Sequence, residues 1–170
     1  FWALNLKSKI SLDENRTYSK RYLNFNRRWR IHRPTLVALL LATGLLDKGH
    51  VSLGECDDNR TWEMVYPYIK FLHSPCKEIS ELLEKVETQI LTLPPLYLDF
   101  TDLKTNRARI QKETTYLYDE TLVSVVNETT FYTDPIVDNT ARFLSEKTFK
   151  PITYGHPFLL VTVPHSLELL

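Results

Sequence analysis

Apolar and polar positions along the chain switch between two periods, and the switches divide it into strands and helices. Tyr22-Leu-Asn-Phe-Asn26 alternates residue by residue, which predicts a short strand. Apolar residues then run almost unbroken through 35–46, the pattern of a helix buried on all sides. Pro34 suits its first turn, where a missing N–H has no helical partner. Asp47-Lys48-Gly49 closes that helix, and 50–54 reads as a second strand. The aromatic-rich stretch 62–73 predicts a helix over the core. In 79–91, Ile79, Leu82, Leu83, Val86, Ile90 and Leu91 recur at helical spacing with charges between, until Leu93-Pro94-Pro95 breaks the pattern.

The second half repeats the alternation. Residues 101–112 are polar and basic, an exposed loop or short helix. Residues 121–127 are β-branched and apolar, the clearest strand in the sequence. Ser145 caps a helix over 145–154 that Gly155 terminates. A buried strand is expected over 157–163, and another helix near Ser166. Residues 1–20 are polar and weakly patterned, a leading segment or linker, and 21–170 form one domain. Strands alternating with helices predict an α/β, Rossmann-like fold, a mostly parallel sheet with helices on both faces. In such sheets ligands lie beyond the carboxyl ends of the strands. Three polar segments fall there: 26–33, 127–131 and 143–147.

Composition narrows the picture. With 43% hydrophobic and 25% charged residues the chain is ordinary for a globular domain. Its formal net charge is zero, so attraction to a polyanion has to come from local clustering. The two cysteines, Cys56 and Cys76, are too few for a disulfide framework, although one bridge between them is open, and no Cys/His cluster has zinc spacing. The longest apolar run, 36–46, is too short to span a bilayer. Phe1 opens the chain with no basic lead-in, and 165–170 read as the start of a helix, so a fragment truncated at its C-terminus is expected.

Candidate chemistry sits in all three polar segments. The loop 26–33 holds four arginines (Arg27, Arg28, Arg30 and Arg33) with Trp29 and His32, just before a buried helix. Arginine forks and free N–H groups at a helix start suit a diphosphate. The alternatives are a solvated basic loop, or a nucleic-acid site in which Trp29 stacks on bases. Neutral overall charge argues against the last. In Ser145-Glu146-Lys147 the hydroxyl caps a helix and Glu146 enjoys the dipole, but Lys147 faces its unfavourable end. An anionic ligand would offset that mismatch, and Glu146 could accept ribose hydroxyls. Asn127-Glu128-Thr129 ends the clearest strand, where its side chains would face the same crevice, which makes Asn127 and Glu128 candidate substrate-binding residues; the triplet is also a glycosylation sequon, as are those at Asn15 and Asn59.

Taken in order, these segments resemble the nucleotide-sugar-binding half of GT-B glycosyltransferases. Most similar is the pattern of alpha-1,3-fucosyltransferase-like enzymes, roughly Phe-Glu-Asn, a spacer, Thr-Glu-Lys and an apolar strand. Its counterparts are Val126-Asn127-Glu128, a longer spacer, Ser145-Glu146-Lys147 and the strand from Pro157. Ser145 stands for the family's Thr, and Asn127-Glu128 reverses Glu-Asn. The resemblance implies a GT-B C-terminal half that places Glu146 on the ribose and Lys147 on the diphosphate of the donor, with Arg33, or alternatively Arg30, on the same diphosphate. It implies no metal and no cofactor, because fixed cations stabilise the leaving group, and the chain has no Asp-x-Asp motif.

The expected function is therefore transfer of a sugar, such as fucose, from a nucleoside diphosphate (a GDP-sugar favoured) to a glycan or protein acceptor. The acceptor domain would lie outside this chain, and no nucleic acid is expected. No catalytic residue is assigned; Glu128 and His156 are the nearest candidates for a base, with His156 more suited to a structural role. The competing expectations are a non-catalytic module binding polyanions or nucleic acid through 27–33, and an interaction domain in which Ser145-Glu146-Lys147 is only a helix start.

Overall fold

Seven residues, Thr121–Asn127, form the strand that β-branched side chains mark most clearly, and the architecture is organised about it. A computed structural model of the chain describes residues 17–26, 29–54, 61–98, 115–131 and 142–170. Arg27, Arg28, Cys56, the 101–112 segment and the sequons at Asn15 and Asn59 lie outside the described residues. Four strands, β1 (Lys20–Asn26), β2 (Gly49–Leu53), β3 (Thr121–Asn127) and β4 (Phe158–Val161), lie in the order β2-β1-β3-β4. All are parallel, with helices around the sheet, which makes this an α/β Rossmann-like fold. The helices are α1 (His32–Ala42), α2 (Trp62–His73), α3 (Lys77–Leu91), α4 (Thr115–Asp119) and α5 (Glu146–Thr153). The chain divides into two compact units, one of Phe25–Thr101 and one of Phe1–Asn24 with Asp102–Leu170.

In the first of these units, α1 starts three residues earlier than its apolar run and stops at Ala42. Pro34 is its third residue, another first-turn position with no intrahelical N–H to lose. The stop comes from Thr43 and Gly44. The Thr43 hydroxyl bonds back to the Leu39 carbonyl at 2.8 Å, and Gly44 takes φ +66°, a left-handed conformation that glycine adopts without penalty. Helix α2 occupies the aromatic stretch 62–73, and its Tyr66 hydroxyl donates to the Leu83 carbonyl of α3. Trp62 packs against Trp29 in a tilted contact, with ring centroids 4.8 Å apart. Val37, Ala38, Leu53, Tyr66, Ile69, Leu83 and Ile90 form the core here.

In the second unit, β3 pairs with β1 in the register Tyr22↔Val123 and with β4 in the register Val125↔Leu159. Fully buried Asn24 donates to the Val125 carbonyl at 2.6 Å, so a polar residue on β1 is satisfied within the sheet. His156 fixes the amino end of β3. Its Nε2 lies 2.8 Å from the Thr121 carbonyl and its Nδ1 2.9 Å from Ser124 Oγ. A carbonyl only accepts, so Nε2 carries a proton, and in the neutral ring Nδ1 accepts from the serine. Gly155, at φ +57°, turns the chain from α5 into this clamp. Strand β4 departs from the buried strand expected over 157–163: it spans four residues and Leu159 is 60% exposed. Among the described residues β3 is its one neighbour in the sheet, so its outer side carries no covering strand.

Candidate functional site

Beyond the carboxyl end of β3 the chain passes through Glu128, and this carboxylate organises the start of α5. Glu128 has 0% exposure, yet its two oxygens accept four hydrogen bonds from protein groups. Oε1 accepts the Ser145 N–H at 2.8 Å and the Thr148 hydroxyl at 2.6 Å. Oε2 accepts the Ser145 hydroxyl at 2.7 Å and the Thr129 N–H at 3.1 Å. Ser145 is the N-cap of α5, and its oxygen in turn accepts the Lys147 N–H at 3.3 Å. In a capping box the third helical residue supplies a Glu that reaches back to the cap's N–H. Here that position is Thr148, and the carboxylate arrives from the strand end instead.

Burial alone would disfavour the charged form of Glu128. The Thr148 and Ser145 hydroxyls, the Ser145 N–H and the Lys147 cation together outweigh it, so Glu128 titrates below its ordinary 4.5 and is ionised near neutrality. A buried carboxylate of this kind stays charged only because each lone pair meets a donor.

Lys147 lies in the same cluster. Its ammonium donates to Ser145 Oγ at 3.1 Å and Thr129 Oγ1 at 3.3 Å, and stands 3.9 Å from Glu128 Oε2. Its side chain is 25% exposed, so solvent reaches a cation that protein groups otherwise hold in place. Glu146, the first residue of α5, is exposed beside it. One turn on, burial lowers the pKa of Lys150 from its ordinary value, against the raising effect of Glu146 and with the lowering effect of Lys147. The first two turns of α5 thus gather Glu146, Lys147 and Lys150 into one interacting set of charges.

The structure brings Glu128, Ser145 and Lys147 into direct contact, with Glu146 at the open side of the same helix turn. Asn127 is fully buried at the end of β3, which leaves its sequon off the surface. Arg30 and Arg33 belong to the other unit, where Arg30 is exposed and Arg33 is 2% exposed in the first turn of α1. Trp29, the residue a nucleic-acid site would use for stacking, is committed: its indole N–H donates to the Gly54 carbonyl and its ring packs on Trp62. His156 is buried at the amino end of β3, the opposite end from Glu128, with both ring nitrogens engaged. Neither Thr129 nor Thr148 stands out in the sequence. The one signal for Thr148 is the missing Glu at the third helical position after Ser145.

Among the described residues, no group of three or more His, Cys, Asp or Glu could hold a metal ion. No helix among them is long and apolar enough to cross a membrane. Comparison of the chain with protein-family models, with curated proteins and with solved structures returns no match.

Proposed function

We propose that this chain is the donor-binding domain of a glycosyltransferase, holding a nucleoside diphosphate sugar whose sugar passes to a glycan or protein acceptor. The observation that supports it is the placement of the Lys147 ammonium. It is held by two hydroxyls in the first turn of α5, beyond the carboxyl end of a parallel strand, and is still reached by solvent. Ligand phosphates bind at that end of parallel α/β sheets, and a cation held in advance stabilises a diphosphate leaving group without reorganising. In this proposal Lys147 contacts the diphosphate, and the exposed Glu146 carboxylate accepts the ribose hydroxyls. The sugar is a hexose such as fucose, and the acceptor domain is supplied by another part of the protein.

Calorimetric titration with GDP and UDP tests this on the wild type and on Glu146→Ala and Lys147→Ala separately. Saturable binding that each substitution weakens about tenfold or more, as expected for loss of a charged hydrogen bond, is the supporting result. A folded wild type that binds neither nucleotide overturns it.

A further inference from the structure

We infer that Glu128 is a positioning residue: its buried carboxylate holds Ser145 and Thr129, the two residues whose hydroxyls bond the Lys147 ammonium. The inference rests on the donor-domain proposal for the identity of the ligand, and goes beyond it in naming what sets the cation's direction. Glu128 is fully buried, so it serves a ligand through its neighbours and not by contact.

The direction comes from donor and acceptor counting. Ser145 has a single O–H, and it is given to Glu128 Oε2. Only lone pairs of Ser145 Oγ remain for Lys147, and both the Lys147 N–H and its ammonium bond to that oxygen. Thr129, the other hydroxyl partner of the ammonium, is anchored by its own N–H on the same Oε2. These two hydroxyl partners are therefore tied to one carboxylate oxygen, Ser145 through its O–H and Thr129 through its backbone N–H. A carboxamide at that position would set an N–H₂ against the Thr129 N–H, or offer a donor to Ser145 Oγ and reverse its polarity.

Simple Coulomb attraction and positioning predict opposite signs, which makes the inference testable. Glu128→Gln removes a negative charge 3.9 Å from the ammonium, so on charge alone it should strengthen anion binding. If Glu128 positions Lys147, the same substitution weakens binding.

The experiment uses the full chain as wild type, Glu128→Gln, Thr148→Val and Lys147→Ala. GDP affinity is measured by calorimetry, and the Lys147 ammonium is followed by its ¹⁵N cross-peak at low temperature, which is seen only for a held, slowly exchanging ammonium. The expected result is about a tenfold loss of GDP affinity in Glu128→Gln, with the ammonium cross-peak lost. Thr148→Val, which keeps the charge and removes one donor to Glu128, shows a smaller loss in the same direction, and it decides through the same two readouts if Glu128→Gln does not fold. GDP affinity unchanged or increased in Glu128→Gln, or a cross-peak absent from the wild type, overturns the inference. A wild type that binds no nucleotide overturns the donor-domain proposal alone. The cross-peak then decides: present in wild type and lost in Glu128→Gln supports positioning, and present in both overturns it.

Discussion

Glu128 and Ser145, 17 residues apart, are joined by two hydrogen bonds, from the Ser145 N–H at 2.8 Å and from its hydroxyl at 2.7 Å. Through this pair the end of a strand becomes the cap of a helix. The relationship fixes where α5 begins, and hence where Glu146 and Lys147 stand. Stability and the proposed ligand site depend on the same carboxylate.

Removing that carboxylate should be costly. Glu128→Ala leaves the Ser145 N–H, the Thr129 N–H and two hydroxyls without their acceptor in a buried site. We expect a loss of about 3 kcal/mol, since each stranded buried donor costs about 1–3 kcal/mol and some will find water. Thr148→Val should cost about 2 kcal/mol, as one hydrogen bond to a charged group is lost at constant shape. Urea denaturation at neutral pH measures both, and an Ala variant as stable as wild type would refute the capping role.

The depressed titration of Glu128 gives a signed pH prediction. Its native-state pKa lies below the 4.5 of an unperturbed Glu, so between those two values the unfolded chain binds more protons than the native one. The contribution is fully present above about 4.5, and is lost as the pH falls through the native value. The difference in urea midpoint between wild type and Glu128→Gln should therefore be constant from neutrality down to that region and narrow below it. A difference independent of pH would show that the carboxylate is not selectively stabilised as an anion.

Legibility in the sequence depended on the range of the interaction. The strand over 121–127 and the helix over 62–73 can be read from local pattern alone, because their side chains repeat at the period of one element. Helix α1 is displaced at both ends from its expected span. Proline is tolerated throughout the first turn, so Pro34 could not say which first-turn position it held. The true stop, Gly44, lies inside an apolar run that looks continuous. The burial of β4 depends on a second neighbouring strand, which no local pattern reports. Glu128 is hidden for a related reason. An acidic residue at a strand end looks ligand-facing until the helix it caps is known.

The two described arginines of the basic loop should separate by their effect on stability. Arg33 is buried in the first turn of α1, and Arg33→Ala should lower stability by about 2 kcal/mol or more through lost packing and stranded partners. Arg30 is exposed, so Arg30→Ala should leave the thermal midpoint nearly unchanged. Thermal unfolding of the two variants measures both effects, and a stability loss confined to Arg30→Ala would contradict the packing.

Tyr66 offers a test of the helical unit that is independent of any ligand. Its hydroxyl donates to the Leu83 carbonyl across α2 and α3, and its side chain is fully buried. Burial, with a smaller contribution from the charge of Glu87, pushes the phenol up from 10.0 to about 12. The unfolded phenol ionises near 10, so between these values the native state holds the proton that the unfolded chain releases. The stabilisation is complete below about 10 and disappears as the pH rises through about 12. Tyr66→Phe removes the hydroxyl and leaves the Leu83 carbonyl without this donor, which should cost about 1 kcal/mol at neutral pH. Above pH 10 the wild type should lose that advantage over the Phe variant, and urea midpoints collected from pH 8 to pH 11.5 measure the convergence. A gap between the two proteins that stays constant across the range would mean that the phenol ionises alike in both states, and that the α2–α3 contact is looser than its geometry indicates.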